Sequence, residues 1–325
     1  MAYLLRRLAG QVLLVALAAS LAYLLAAASL HPRANFEGRN PRPPQRVVDA
    51  ELTKANLNDK TPLPVRYAVW AYGVVRGDFG RTWDGASVNA ELGRRIGVSL
   101  RLVLVGGLLG GVLGVALGAY GAIRRYRLGD RLTTAGSFAV LAIPAFVLAV
   151  LLQFGAQWLN AVTGMRIFGY AGEYTPGQTG GAFADLGDRL RHLVLPTLTI
   201  VLGQVAVYSR YLRNTMLDVL HADFVRTARA KGLRRRTALV RHALRIALIP
   251  VATYVAYNLG LLLTGTIFTE KVFGRHGMGE WLIDSIARGD VNVVAAIACC
   301  TALFVLAAGL LADALSVLLD PRVRG

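Results

Sequence analysis

The sequence predicts an all-α, polytopic membrane protein with six transmembrane helices. The chain has 325 residues, of which 55% are hydrophobic, and its mean hydropathy is +0.48, whereas soluble domains are about 45 to 50% apolar. Six apolar stretches are each long enough to cross a bilayer, since a helix needs roughly 20 residues to do so. The stretches cover residues 8–30, 98–120, 132–159, 193–211, 246–269 and 291–319.

The first stretch follows Arg6 and Arg7 and ends near three small alanines, as a secretory signal peptide does. Its apolar run is longer than the roughly 7 to 15 residues of a signal-peptide core, so we interpret it as an anchor. We therefore divide the chain into three parts, which are an N-terminal tail with the first transmembrane helix, an extracytoplasmic segment, and a five-helix transmembrane core with a cytoplasmic loop at 212–245. These parts cover residues 1–30, 31–97 and 98–325.

The extracytoplasmic segment is polar and begins with several prolines, which favour extended chain. We expect one short helix before Lys60, a second helix over 65–75, and a turn at the sequence GDFG, residues 77–80. Aromatic side chains in the second helix are typical of anchors at a membrane interface. They are Tyr67, Trp70 and Tyr72.

Glycines and prolines shape the remaining spans. In the second span, one glycine recurs every four residues, which places a smooth face along the helix for a neighbour from this chain or from a partner. In the third span, Pro144 predicts a tilt or bend. Pro196 and Pro250 free backbone carbonyls near the ends of later spans. The recurring glycines are Gly106, Gly110, Gly114 and Gly118, with Gly107 and Gly111 beside them.

The distribution of basic residues predicts that both termini are cytoplasmic. With that orientation, eighteen Lys and Arg residues lie in cytoplasmic segments, whereas the short outer loops at 160–192 and 270–290 hold three each. The long segment 31–97 is largely exempt from this rule. Retention on the inner side and attraction to anionic lipid account for most of the net charge of +17, so we expect lipid contact and no nucleic-acid partner.

The cytoplasmic loop between the fourth and fifth spans is the most basic part of the chain. Ten of its residues from 210 to 245 are Lys or Arg, and only Asp218 and Asp223 are acidic. Small residues at Ala222, Ala228 and Ala230 separate the cations, and Gly232 is a typical helix terminator. This pattern predicts a short helix that lies closely against another protein.

The sequence contains no phosphate-binding GxxxxGK[ST] segment, so transport would need another source of energy. Asp313 is the one clear acid within a span, and it lies toward the inner end. The histidines lack metal-ligand spacing and no nucleophile motif is present, so we expect no metal site and no catalytic residue. A basic helical loop without an ATPase favours coupling to a separate ATPase. A self-contained secondary transporter and an intramembrane enzyme are the alternatives.

Ordered motifs give a resemblance to a known family. The cytoplasmic loop resembles the coupling-loop signature of the permease subunits of bacterial binding-protein-dependent ABC importers, through RTARAKG at 226–232, RHAL at 241–244 and ALIP at 247–250. Further segments resemble the B-type permease of the dipeptide/oligopeptide/nickel class. They are GDFG at 77–80, IPAF at 143–146, HLVLP at 192–196, TEKVF at 269–273 and LDPRVR at 319–324.

The resemblance implies the type I ABC importer permease fold and a non-catalytic subunit of the bacterial plasma (inner) membrane. It implies a second homologous permease, two cytoplasmic ATP-binding subunits or one fused ATPase, and an extracytoplasmic solute-binding protein. ATP and Mg would be bound by the ATPase subunits, and this chain would bind no cofactor. The residues assigned to ATPase coupling are Asp223, Arg226, Thr227, Ala228, Arg229, Ala230, Lys231 and Gly232.

Polar residues inside the spans are candidates for the solute path, because polar groups are disfavoured in lipid, although each can instead bond to a neighbouring helix. Peptides are the expected solute, and nickel, other metal chelates, glutathione, haem and sugars are further cargoes of the class. The chain departs from the family at 30–35 and at 275–279, both on the outer side, which leaves the choice of binding protein open. The path candidates are Gln153, Gln204, Asn258, Thr264 and Thr266.

Overall fold

A computed structural model of the protein describes residues 2–38, 40–177, 181–220 and 222–319, with side chains from residue 9 onward. Residues 320–324 of the LDPRVR segment lie outside the described residues. Within the described parts the chain is helical and has no β-strand beyond an isolated bridge between Arg81 and Ser87. The helices are α1 (Ala2–Ser29), α2 (Ala34–Glu37), α3 (Gln45–Lys54), α4 (Leu63–Val75), α5 (Val88–Ile123), α6 (Leu128–Ala142), α7 (Ala145–Thr163), α8 (Gly181–Val219), α9 (Asp223–Ala230), α10 (Arg235–Ala238), α11 (Leu244–Gly265), α12 (Ile267–Val272), α13 (Met278–Ala287) and α14 (Val291–Leu319).

The predicted all-α fold with six spans is confirmed. Six helical stretches in the described residues are long and apolar enough to cross a membrane. They contain α1, α5, α7, α8, α11 and α14. Two helices extend well beyond the apolar segments read from sequence, since α5 begins at Val88 and α8 at Gly181.

The third span is broken where Pro144 predicts a bend. Helix α6 ends at Ala142, and Ile143 and Pro144 have extended backbone before α7 starts at Ala145. The cause is that proline disfavours helical geometry in the residue before it and is tolerated at the start of a helix. Pro196 and Pro250, by contrast, lie inside continuous helices.

The chain forms two compact units, and the first comprises Met1–Ser99 and His276–Leu306. Its larger core centres on Tyr23 of α1, which is fully buried and stacks on Trp70 of α4 with ring centroids 4.5 Å apart. Trp70 is therefore a core residue, whereas Tyr72 is exposed as expected for an anchor. The three-part division of the chain drawn from the sequence remains a prediction.

Asp290 and Asn292, at the start of α14, bind the segment 31–97 within this unit. Asn292 donates from Nδ2 to the carbonyl oxygens of Ala55 at 2.7 Å and Arg81 at 2.8 Å. The Asp290 carboxylate accepts the Trp83 backbone N–H at 2.9 Å. Asp290 is 2% exposed, and burial raises the pKa of its carboxyl group to about 6.

The second unit, Leu100–Arg275 and Ala307–Gly325, contains the glycine face of α5. A Cβ added at Gly106, Gly110, Gly114 or Gly118 would lie within 3.0 Å of an atom of α8, the shortest distance being 2.5 Å. A Cβ at Gly107 would come equally close to Leu259 of α11. The predicted close approach is therefore confirmed, and the neighbours belong to this chain.

Candidate functional site

The short helix predicted in the loop between the fourth and fifth spans is α9, Asp223–Ala230. Ala222 is extended, and Asp223 places a negative charge in the first turn, where the helix dipole favours it. Lys231 caps the carboxyl end, and Gly232 follows with φ +89°, a backbone conformation that glycine adopts without strain. The expectation that Gly232 ends the helix is confirmed.

One face of α9 is buried against the chain itself. Val225 is 2% exposed and Ala228 is 7% exposed, and they share a face because they are three residues apart. They pack in a cluster with Ala238, Leu239 and Ala243, at whose edge lie residues from the ends of α5 and α8. Ala228 was expected to give a partner protein room, but the structure uses its small size for packing within the chain.

The opposite face of α9 is exposed and basic. All residues assigned to ATPase coupling from the sequence are exposed except Ala228, and we name these seven exposed residues the α9 surface. The Arg226 guanidinium lies 3.5 Å from the Asp223 carboxylate, but both side chains are largely exposed, so the pair contributes little stability. The α9 surface comprises Asp223, Arg226, Thr227, Arg229, Ala230, Lys231 and Gly232.

The chain returns from α9 to the fifth span through α10 and a single π-helical turn, Leu239–Ala243, which leads without a break into α11. Leu239 and Ala243 are buried in the α9 cluster. Arg234, Arg235 and Arg236 are exposed before this turn. A displacement of α9 would therefore act directly on the start of α11.

An ion pair that the sequence did not reveal joins the start of α6 to α8. Arg213 donates from Nε to Asp130 Oδ1 at 2.6 Å and from Nη2 to Oδ2 at 2.9 Å. The Tyr126 backbone N–H donates to the same carboxylate at 2.8 Å. Asp130 is 1% exposed, and the Arg213 guanidinium holds the pKa of this carboxyl group below its ordinary value.

Two of the path candidates form hydrogen bonds to the backbone of this chain. Gln153 donates from Nε2 to the Tyr170 carbonyl at 2.8 Å and so holds the loop that follows α7. Thr266 is fully buried, and its hydroxyl donates to the Leu263 carbonyl at 3.1 Å. Both side chains are engaged within the chain.

The other three candidates differ in exposure. Gln204 lies beside Gly110 of α5, and its buried Oε1 has no hydrogen-bond partner among the described residues. Asn258 is half-buried and Thr264 is exposed. Their contact with solute remains a prediction. In the described ranges, no group of three or more His, Cys, Asp or Glu residues could hold a metal ion.

A family described as "Binding-protein-dependent transport system inner membrane component" matches residues 110–325. The chain belongs to this family. As a member it is a non-catalytic, multi-pass permease of the inner membrane, with ATPase and binding-protein partners. The expectation of a permease subunit is therefore confirmed, and the secondary-transporter and enzyme alternatives are excluded.

Relatives of this permease span nearly its whole length. The "Oligopeptide transport system permease protein OppB" of Mycobacterium tuberculosis is 52% identical over 322 residues, which are 99% of this chain and 98% of that protein. "AppB", an oligopeptide permease of Bacillus subtilis, is 32% identical over 88% of this chain and 87% of its own. The "Glutathione transport system permease protein GsiC" of Salmonella typhimurium is 31% identical over 99% and 98%.

A solved structure supports the fold independently. A chain of the MetNI methionine ABC transporter in an inward-facing conformation aligns with a TM-score of 0.54 and 17% identity, covering 70% of this permease and 96% of that chain. At this identity the likeness concerns the fold alone. The predicted type I ABC importer permease fold is thereby confirmed.

Proposed function

We propose that this chain is one of two homologous permease subunits that together form the translocation pathway of an ATP-driven peptide importer. Its partners would be two cytoplasmic ATP-binding subunits, or one fused ATPase, and an extracytoplasmic solute-binding protein. Both termini and the α9 surface would lie in the cytoplasm, in accord with the eighteen basic residues assigned to that side. The ATPase subunits would bind ATP and Mg.

The observation that carries the proposal is the two-sided character of α9. Its inner face, Val225 and Ala228, is fixed in a cluster that includes the π-helical turn and the ends of two spans. Its outer face presents three cations and no large apolar side chain except Phe224. Movement of a partner bound to the outer face of α9 would be transmitted to the spans through the buried inner face of α9.

The Asp130–Arg213 pair supports transmission further into the membrane part. Arg213 lies on α8, close to the point where that helix ends at Val219 and the loop bearing α9 begins. The pair is bidentate and its carboxylate is buried, so α6 and α8 are expected to move together rather than slide past each other. Closure of the ATPase subunits would then displace α8, α6 and α11 as one body.

The identity of the relatives supports peptides as the solute. The nearly full-length match at 52% identity is with a permease named for oligopeptides, whereas the permease named for glutathione is 31% identical. We therefore assign oligopeptides as the solute class and expect glutathione to be a poor competitor.

Uptake of labelled peptide by the native host tests this proposal. A strain that lacks this gene should lose uptake of a radiolabelled tripeptide, and a plasmid copy of the gene should restore it. Excess unlabelled tripeptide should compete strongly, and excess glutathione weakly. Normal peptide uptake in the deletion strain, with every other peptide importer removed, would refute the assignment.

A further inference from the structure

A cavity in the second unit is distinct from the α9 surface and from the Asp130–Arg213 pair. Its volume is about 620 Å³, and it lies between the carboxyl end of α7, the loop that follows, and the first turns of α8. Cavities of roughly 300 to 1,000 Å³ are the usual size for small-molecule sites. We propose that this cavity binds the carboxylate of a peptide solute, an inference that rests on the proposed peptide import.

The first part of the loop after α7, which forms one wall of the cavity, is held in place by Asn160. Asn160 accepts the backbone N–H groups of Ile167 at 3.0 Å and Phe168 at 3.2 Å through Oδ1. Its Nδ2 donates to the Phe168 carbonyl at 2.8 Å. The Asn160 amide thus binds the backbone of the loop through both its oxygen and its nitrogen, which shapes this side of the cavity.

The remaining wall is fixed to α8 in the same way. Asp188 accepts the backbone N–H of Thr175 at 2.6 Å and the Thr175 hydroxyl at 2.8 Å. Gly169 lies against the buried ring of His192, where an added Cβ would come within 2.4 Å of the ring. The loop therefore follows the surface of α8 closely and has no room for a side chain at Gly169.

The cavity lining carries two arginines, Arg166 and Arg191, and one acid, Asp188. Both arginines are exposed, and neither lies within ion-pair distance of a carboxylate in the described residues. Asp188 accepts hydrogen bonds from Thr175, lies 3.6 Å from His192 Nδ1 and is held ionised in part by the charge of Arg191, so the lining keeps a net positive charge. Guanidinium groups that form no salt bridge in a concave site favour a carboxylate, which they can bind with two parallel hydrogen bonds.

The helical position of Arg191 explains why it faces the cavity. Asp188, Arg191 and His192 are spaced three and four residues apart on α8, so they lie on one helix face. Arg189 does not line the cavity, and its guanidinium lies 5.3 Å from the centre of the ring of Tyr174, which does line it. The chain thus supplies a matched control cation only two residues away.

The test measures peptide binding to the complete transporter in phosphatidylcholine nanodiscs, without its binding protein. Radiolabelled trialanine should bind, and its amidated form, which lacks the carboxylate, should bind at least tenfold more weakly. Arg166→Gln and Arg191→Gln should each lower trialanine affinity roughly tenfold or more, because a charge-assisted hydrogen bond contributes about 1.5 to 3 kcal/mol. Arg189→Gln should leave the affinity within about twofold of the parent.

Three results would overturn the assignment: equal binding of the amidated peptide, an equal loss in Arg189→Gln, or no detectable binding of trialanine. The same measurement in phosphatidylglycerol nanodiscs tests whether the phosphate of an anionic lipid competes with the peptide carboxylate for this cavity. Displacement of trialanine by that lipid would assign the cavity to lipid headgroups instead. Measuring ATP hydrolysis stimulated by binding protein and peptide on the same samples separates the two proposals. If the peptide does not stimulate ATP hydrolysis, peptide import is refuted. If it does, but the cavity does not bind the carboxylate, only the cavity proposal is refuted.

Discussion

Replacing Gly118 by alanine tests the contact between α5 and α8. The added Cβ would lie 2.6 Å from the backbone oxygen of Ser209 and 3.0 Å from Leu212 Cβ. A backbone oxygen cannot turn aside as a long side chain can, so the helices must separate. Gly203→Ala on α8 is the matched control, because its Cβ would meet nothing within 4 Å.

The expected magnitude follows from the comparison of the two variants. Alanine gains about 1 kcal/mol over glycine in a helix interior, and this gain applies to both positions. Overpacking costs about 1 to 3 kcal/mol and applies only at Gly118. We therefore expect Gly203→Ala to be neutral or more stable than the parent, and Gly118→Ala to be about 1 to 3 kcal/mol less stable than Gly203→Ala.

Unfolding of the purified chain in mixed micelles, driven by increasing SDS and followed by circular dichroism, measures this difference. The slope of the transition should be the same in both variants, so that the midpoints report stability. Equal midpoints, or a higher midpoint for Gly118→Ala, would mean that α5 and α8 do not meet as closely as the structure indicates.

Two further predictions concern buried carboxylates. Asp130→Asn leaves the guanidinium of Arg213 without its carboxylate partner, so the free energy of unfolding should fall by about 3 to 5 kcal/mol in the same SDS titration. The double variant with Arg213→Gln should recover part of that loss. An unchanged free energy of unfolding in Asp130→Asn would contradict the buried pair. The raised pKa of Asp290, about 6, means that the folded state binds its proton more tightly than the unfolded state. The stability that this proton confers is present at low pH and is lost as the pH rises through 6, so between pH 7 and pH 5 the parent should gain roughly 1 kcal/mol relative to Asp290→Asn. If the difference in stability between the parent and Asp290→Asn does not change with pH, the raised pKa of Asp290 is refuted.

Hydropathy located the spans but underestimated the length of some helices. It places the start of the second span at residue 98, yet α5 begins at Val88. The residues between include the charged Glu91, Arg94 and Arg95, whose ion pairs stabilise a helical turn that needs no lipid. Hydropathy reports only the part of a helix that lipid would cover, so such extensions are invisible to it.

Local signals were reliable where the backbone itself decides the outcome. Pro144 breaks the third span and Gly232 ends α9 because their conformational preferences act within a residue or two. Side-chain roles were less predictable. Trp70 was expected at a membrane interface but is buried on Tyr23, a contact between two helices far apart in sequence.

In the candidate site, too, local backbone features were predictable from the sequence and side-chain contacts were not. The boundaries of α9 follow from its sequence, whereas the direction of its faces depends on what surrounds it. Val225 and Ala228 turn inward because the π-helical turn supplies an apolar surface for them. The pairing of Asp130 with Arg213, 83 residues apart, and the cavity lined by Arg166 have no signal in a single sequence.

The central claim is that the α9 surface holds a separate ATPase, and co-purification tests it most directly. The tagged permease is purified from its native membrane in mild detergent as the parent, as Gly232→Asp and as Gly164→Asp. Both glycines follow a helix end, have positive φ and have open space around the Cβ position, so the two variants share the same strain and charge. Gly164 lies beyond α7, on the side assigned to the exterior.

The account predicts that the parent and Gly164→Asp retain the second permease and the ATPase chains, and that Gly232→Asp retains the second permease but loses most of the ATPase. Circular dichroism of the three proteins should be the same, which would exclude general unfolding. Equal recovery of the ATPase with Gly232→Asp and Gly164→Asp, or a parent that purifies without any ATPase, would contradict the account.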